Sequence, residues 1–260
     1  MSNFKVYVSD YDYPDISIEK EVLEPIGAQV IGLQDKTGEN LAELAADADG
    51  ILQQYAKIFR PTIEKLKNCK IIARYGIGVD IVDVAAAYEH GMVVTNVPDY
   101  CIDEVADHAA AYSMMLSRNL PFYNAKVHAG SYRWEDWRSP ITRSRNARYG
   151  LLGFGRIAQN LSRKMAAFGF ELVSYDPYVS ESFMRTYGVK KVGVEELFST
   201  SHIVCVLTPY TAETAHIVNE ERLRLMQKDS YLVAVSRGKC VDNKALYKAL
   251  SEGWITAAAL

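Results

Sequence analysis

The segment Tyr149-Gly150-Leu151-Leu152-Gly153-Phe154-Gly155-Arg156-Ile157-Ala158 constrains this chain most, because an apolar strand runs there into a glycine turn and then a helix. About twenty residues further on, a second strand, Phe170 to Tyr175, ends in Asp176. Strand, glycine turn, helix, second strand and terminal acid in that order form a dinucleotide-binding fingerprint in the context it needs. Each part has a physical reason. Gly153 permits the tight turn, and Gly155 lets backbone N–H groups close on a pyrophosphate. Ala158 stands where a third glycine is commoner, and a methyl there still lets helix and strand pack. The helix start at Arg156 and Ile157 offers unsatisfied donors and partial positive charge to phosphates. Asp176 suits the adenine ribose hydroxyls, and its charge repels the 2′-phosphate of NADP. The expected cofactor is NAD, held by Gly153, Gly155, Arg156, Ile157 and Asp176.

At 260 residues the chain is long enough for two domains of ordinary size. Its 29 basic and 32 acidic side chains leave a net charge of −3, which does not suggest a polyanion partner. The densest basic stretch is Arg133, Arg138, Arg143, Arg145 and Arg148, interrupted by Glu135, Asp136 and two tryptophans. It reads as a solvated connector rather than a nucleic-acid patch. Cys69, Cys101, Cys205 and Cys240 are scattered, with no C-x-x-C pair and no metal-ligand spacing. They suit reduced thiols of a cytoplasmic protein, with no metal expected. The first residues start directly with a strand and lack a signal peptide's apolar core. No apolar run approaches the roughly eighteen residues of a membrane span. The expectation is a soluble, cytoplasmic protein with no membrane partner.

Strands and helices alternate almost from the start. Phe4–Val8, Gln29–Leu33, Gly50–Gln54, Ile71–Arg74 and Val93–Thr95 read as strands, with a helix near Ile16–Pro25 and short amphipathic helices between the later ones. Such alternation predicts a parallel sheet covered on both faces. A long helix, Asp103 to Ser117, follows, with an alanine-rich face suited to a domain junction or a dimer contact. After a second helix, Phe122–Ala129, and the arginine-rich connector, a fresh βαβ series opens with strands near Gly150, Phe170, Val189, Ile203, Tyr231 and Trp254. The break falls at about residue 100, giving a first α/β domain over 1–100 and a nucleotide domain over 101–260.

Four further segments carry a resemblance. They are Arg74-Tyr75-Gly76-Ile77-Gly78-Val79-Asp80, Thr95-Asn96-Val97-Pro98, Leu207-Thr208-Pro209-Tyr210-Thr211-Ala212-Glu213-Thr214 and Ser236-Arg237-Gly238-Lys239-Cys240-Val241-Asp242. Together with the fingerprint, and in this order, they resemble the D-isomer-specific 2-hydroxyacid dehydrogenase family. The resemblance implies a flavodoxin-like substrate domain beside the NAD-binding domain, both α/β with parallel sheets. It also implies hydride transfer between NAD(H) and a 2-hydroxy acid/2-keto acid pair, in a homodimer.

Reducing a 2-keto acid needs a cation for the carboxylate and carbonyl, a proton donor and a closely held hydride. Arg237 follows the apolar strand Tyr231–Val235 and so belongs at the carboxyl edge of the sheet. Its planar fork fits the two oxygens better than lysine would, and the matching family arginine does this work. By resemblance, the amides of Ile77 and Gly78 meet the substrate carboxylate and the nicotinamide side of the cofactor. Thr208, Val235 and Ser236 lie along the cofactor. Tyr100 matches a substrate-contacting tyrosine of the D-lactate-type members, with a plain surface aromatic as the alternative.

The sequence also departs from the family. The chain stops at Trp254-Ile255-Thr256-Ala257-Ala258-Ala259-Leu260, inside an expected buried strand. The family's nicotinamide-binding aspartate, its tuning glutamate and its general-acid histidine come later, so the proton donor is expected beyond Leu260, in a C-terminal segment that also completes the first domain. His90 reads as part of a stabilised helix end before Gly91. His108 and His128 read as packing or surface residues on helices, and His202 and His216 flank the Ile203–Leu207 strand. Asn146-Ala147-Arg148-Tyr149 replaces the family's usual glycine-lysine turn, and Leu207 stands where many members carry histidine. Two readings stay open: an NAD-dependent dehydrogenase, and an NAD-responsive binding protein like the corepressors of the same family. The particular 2-keto acid is left open.

Overall fold

The structure, a computed structural model, describes residues 4–136 and 141–260. Trp137 and Arg138 of the basic connector therefore lie outside the described residues. The chain divides into two compact units, Met1–Tyr100 and Cys101–Leu260.

The first unit contains β1 (Phe4–Val8), α1 (Ser17–Leu23), β2 (Ala28–Gly32), α2 (Leu41–Leu44), β3 (Gly50–Gln53), α3 (Arg60–Ile63), β4 (Ile71–Arg74), α4 (Val84–Glu89) and β5 (Val93–Thr95). All pairings are parallel, in the order β2-β1-β3-β4-β5, which is the flavodoxin-like order. Buried parallel strands must present apolar side chains to both faces. Tyr7 accordingly joins Ile51 and Ile72 in one core, while Val6 and Val8 join Val30 in the other. Helix α4 shows how local sequence sets the boundaries. The Asp83 carboxylate accepts from Ala86 N–H at its start, a side-chain cap for an otherwise unsatisfied donor. At its end His90 Nδ1 lies 2.8 Å from the Ala86 carbonyl and Gly91 turns with φ of 71°, the stabilised turn expected from the sequence.

The second unit opens with α5 (Ile102–Ser117) and α6 (Leu120–His128). The series β6 (Arg148–Leu152), α7 (Arg156–Ala167), β7 (Glu171–Tyr175), α8 (Glu181–Arg185), β8 (Val189–Lys191), α9 (Val194–Thr200), β9 (Ile203–Val206), α10 (Glu220–Leu225), β10 (Tyr231–Ala234), α11 (Asn243–Ser251) and β11 (Ala257–Ala259) follows. Its parallel sheet runs β11-β10-β9-β6-β7-β8. This is the dinucleotide-binding order, which reverses between β6 and β9.

The alanine-rich face of α5 has an internal use. Ala106 and Ala109 are fully buried, and α5 lies against α7, β10 and β11 of its own unit; methyl side chains let the two helices approach closely. Ser113 on the same face is 2.9 Å from the buried Tyr149 hydroxyl. Apolar burial holds the Tyr149 phenol and the Cys205 thiol beside it neutral, the thiol pushed up to about 12. On α6, Leu120 and Val127 are exposed.

The last strand begins three residues after the expected Trp254. Trp254 instead lies under the Arg224 guanidinium, 3.8 Å from its ring centroid, and Ile255 enters the core. His202 accepts from Arg148 N–H at 3.2 Å, and His108 stands edge-on to Tyr112. No helix among the described residues is long and apolar enough to cross a membrane.

Gly150 on β6 sets how closely α9 packs. A Cβ there would fall 2.5 Å from Ser201 Oγ and 3.1 Å from Leu197 Cγ. Gly150→Val is expected to destabilise the unit by about 1–3 kcal/mol through overpacking, read as a shift of the urea midpoint.

Candidate active site

The switch point of the second sheet assembles the fingerprint. Gly153 leaves β6 with φ of 97°, and a Cβ on it would lie 3.2 Å from Thr208 N and 3.3 Å from Leu207 C. Both its conformation and its approach to the loop after β9 therefore require glycine. Gly155 is a different case. Its φ of −75° and ψ of −172° suit any residue, and a Cβ on it would meet nothing within 4 Å. Neither backbone nor packing demands glycine there. Open space above the N-terminus of α7 is what a phosphate needs to reach the backbone donors. Arg156 is exposed and Ile157 half-buried in the first turn of α7.

Asp176, directly after β7, has internal work. Its Oδ2 accepts from Phe154 N–H at 2.8 Å and its Oδ1 from Tyr178 N–H at 2.9 Å. The carboxylate thus sits beside the glycine turn and holds it, with lone pairs remaining for other donors. Asp176→Ala leaves the Phe154 N–H without its acceptor, an expected cost of about 1–3 kcal/mol. Thermal unfolding of the ligand-free variant reads it as a lowered Tm.

Next to the turn, just after β9 and β10, lie Thr208 and Ser236. The buried hydroxyl oxygens of both have no hydrogen-bond partner among the described residues. Such groups ordinarily find partners, and here they stand at the carboxyl edge where ligands bind. Val235 continues β10, its N–H donating to Val206 O at 3.4 Å. Arg237 follows and is exposed. Its turn is pinned to the loop after β9. Val218 N–H donates to Cys240 O at 3.0 Å, Asp242 N–H donates to Val218 O at 2.8 Å, and the buried Cys240 thiol points at the Thr208 and Pro209 carbonyls. His216 adds a bond from its N–H to Lys239 O at 3.0 Å. Open space at Gly155 and the two lone hydroxyls fit a dinucleotide laid along this edge.

In the first unit, the Gly76–Gly78 loop follows β4. Its three carbonyls are all taken by the protein: Val97 N–H donates to Gly76 O, Asn96 Nδ2 to Ile77 O, and the Arg74 guanidinium to Gly78 O. No acceptor among the described residues takes the N–H of Ile77 or Gly78. Carbonyls anchored and amides presented make a surface suited to an anion. Gly76 is buried, and a Cβ on it would lie 2.7 Å from Arg74 Nη1, so glycine leaves Arg74 room to clamp the loop. Tyr100, the last residue of this unit, is 59% exposed.

Sequence reasoning passed over Asp10. It is fully buried after β1 and accepts from the N–H groups of Tyr55 at 2.6 Å, Ala56 at 3.1 Å and Gln54 at 3.2 Å. It locks the loop after β3. An acid at the end of an apolar first strand was its only sequence signal.

Residues 110–260 match the family described as D-isomer specific 2-hydroxyacid dehydrogenase, NAD binding domain. The D-3-phosphoglycerate dehydrogenase of Methanocaldococcus jannaschii is 35% identical over 98% of this chain, which spans 48% of that protein. The glyoxylate reductase of Korarchaeum cryptofilum is 34% identical over 85% of this chain and 67% of its own length. The crystal structure of D-lactate dehydrogenase from Aquifex aeolicus, complexed with NAD and lactic acid, superposes with a TM-score of 0.88 at 26% identity, over 97% of this chain and 75% of that one. The chain thus spans about half to two thirds of the curated relatives it matches. With the sheet orders and the glycine turn already described, these matches make the chain a member of the D-isomer-specific 2-hydroxyacid dehydrogenase family, with residues 110–260 matching that family's NAD-binding domain.

Proposed function

We propose that the protein interconverts a D-2-hydroxy acid and its 2-keto acid with NAD(H). The observation that carries this reading is the carboxyl edge of β9 and β10, where the lone hydroxyl of Ser236 directly precedes Arg237, on a turn tied to the β9 loop that bears the lone hydroxyl of Thr208. In this reading Gly153, Gly155, Arg156, Ile157, Asp176, Thr208, Val235 and Ser236 hold the dinucleotide, and bound NADH supplies the hydride. Arg237 grips the substrate carboxylate and draws electron density onto the carbonyl oxygen, lowering the cost of charge that develops there. The resemblance assigns the first unit the part of substrate domain, the amides of its Ile77 and Gly78 to the substrate carboxylate, and its Tyr100 to substrate contact. Asp176 disfavours a 2′-phosphate by charge. The resemblance assigns the proton donor to a histidine beyond Leu260. A homodimer belongs to the same reading and is supported by the exposed apolar side chains of α6.

The test is NADH consumption by the full-length protein with glyoxylate, pyruvate, hydroxypyruvate and phosphohydroxypyruvate. Turnover of at least one supports the dehydrogenase. Tight NADH binding with no turnover of any 2-keto acid would instead support an NAD-responsive binding protein.

A further inference from the structure

The first sheet has its own reversal of strand order, between β1 and β3, and ligands of open α/β sheets bind outside the strand ends at such a point. Tyrosines collect there. Tyr11 and Tyr13 follow β1, Tyr55 follows β3, and Tyr75 follows β4 immediately before the Gly76–Gly78 loop. Tyr13 stands edge-on to Tyr75, with centroids 6.0 Å apart and planes at 80°. The Tyr75 hydroxyl donates to Glu19 Oε1 at 2.8 Å, which ties the ring to α1. Burial and that carboxylate raise the Tyr75 phenol far above its ordinary value, so it stays a donor.

The loops bearing these rings are held in place. Asp10 takes three backbone N–H groups of the β3 loop, and Asp12 N–H donates to Gln54 Oε1 at 2.8 Å. The Asp12 carboxylate is ion-paired with Lys36. Tyr13 and Tyr55 nevertheless each leave 51% of their surface exposed. Rings on fixed loops at a ligand-binding edge offer flat apolar area at little ordering cost.

Charge narrows what they can receive. Residues 9–16 contain Asp10, Asp12 and Asp15 and no basic side chain. Arg74, the cation nearest the Gly76–Gly78 loop, donates to Gly78 O and toward Gln54 O. Residues 9–16 therefore offer a second anionic group no cation, and Lys36 is already held by the Asp12 carboxylate, which costs such a group affinity here.

We propose that this tyrosine wall receives the C3 substituent of the substrate and selects 2-keto acids bearing an aromatic ring over those bearing phosphate. Tyr13 and Tyr55 are then specificity-determining residues. The proposal rests on the dehydrogenase reading above.

Steady-state kcat/KM of the full-length protein with NADH tests it, using phenylpyruvate, glyoxylate and 3-phosphohydroxypyruvate. The expected order is phenylpyruvate first, about tenfold or more above glyoxylate, and phosphohydroxypyruvate last. In the Tyr13→Ala/Tyr55→Ala double variant the phenylpyruvate-to-glyoxylate ratio is expected to fall about tenfold. Glyoxylate or phosphohydroxypyruvate ranking first overturns the proposal, as does an unchanged ratio in the double variant. The wild-type ranking decides the matter even if that variant does not fold. A protein that reduces none of the three fails this proposal, and one that also reduces neither pyruvate nor hydroxypyruvate fails the dehydrogenase reading with it. One that reduces glyoxylate but not phenylpyruvate fails this proposal alone.

Discussion

Arg237→Ala is expected to lower kcat/KM for the 2-keto acid by about a thousandfold, roughly 4 kcal/mol of transition-state stabilisation, while NADH binds as before. The size follows from the two jobs the dehydrogenase reading gives one guanidinium. Its charge-assisted fork holds the carboxylate, and its field meets the charge that develops on the carbonyl oxygen. Both are lost at once, so KM should rise and kcat should fall together. Arg237→Lys keeps the charge and loses the planar fork, and should recover only part of the deficit. The side chain is exposed at the end of β10, so neither change disturbs a core. A variant with wild-type kcat/KM would remove Arg237 from the mechanism. Loss of NADH affinity to the same degree would reassign it to the cofactor.

Gly155→Val should separate folding from cofactor binding. Extended backbone at this position accepts a β-branched residue, and the added atoms meet open space, so Tm in the absence of ligand is expected to stay within about 2 °C of wild type. NADH affinity should fall about a hundredfold, near 2.7 kcal/mol, because the side chain occupies the space through which phosphate oxygens reach the helix N-terminus. Titration of both proteins with NADH measures it. Equal affinities would mean that the pyrophosphate is bound elsewhere. Gly153 could not serve for this test, since its φ of 97° and the nearby Thr208 backbone would mix strain with any loss of binding.

Much of the architecture was legible because parallel α/β units advertise themselves. Apolar runs such as Ile71–Arg74 and Ile203–Val206 are short, β-branched and separated by helices, and the glycine turn after β6 marks the dinucleotide order. What escaped did so for physical reasons. β11 is made of Ala257, Ala258 and Ala259, poor strand formers held in place by parallel pairing with Tyr231, Leu232 and Val233. Trp254 and Ile255 look more like a strand and are claimed by a cation above the ring and by the core. The alanine face of α5 read as a domain junction or a dimer contact, and its Ala106 and Ala109 pack inside the second unit.

Site residues divide the same way. Gly153 and Gly155 stand out in the sequence, but only the coordinates separate the glycine the backbone requires from the one it does not. Asp176 was read as a ribose ligand, and its bonds to Phe154 and Tyr178 have no sequence signal. The tyrosines after β1 and β3 sit among aspartates and resemble an ordinary polar loop. They gain meaning once Asp10 is seen to bind the two loops together.

The oxidative reaction with paired enantiomers tests D-specific hydride transfer most directly. Full-length protein, NAD and the two isomers of 2-hydroxy acids such as lactate and phenyllactate are incubated separately, and NADH formation is followed. NADH should form with a D-isomer and not with its L-partner. NADH formed from the L-isomer, or from neither while NAD still binds, would contradict it.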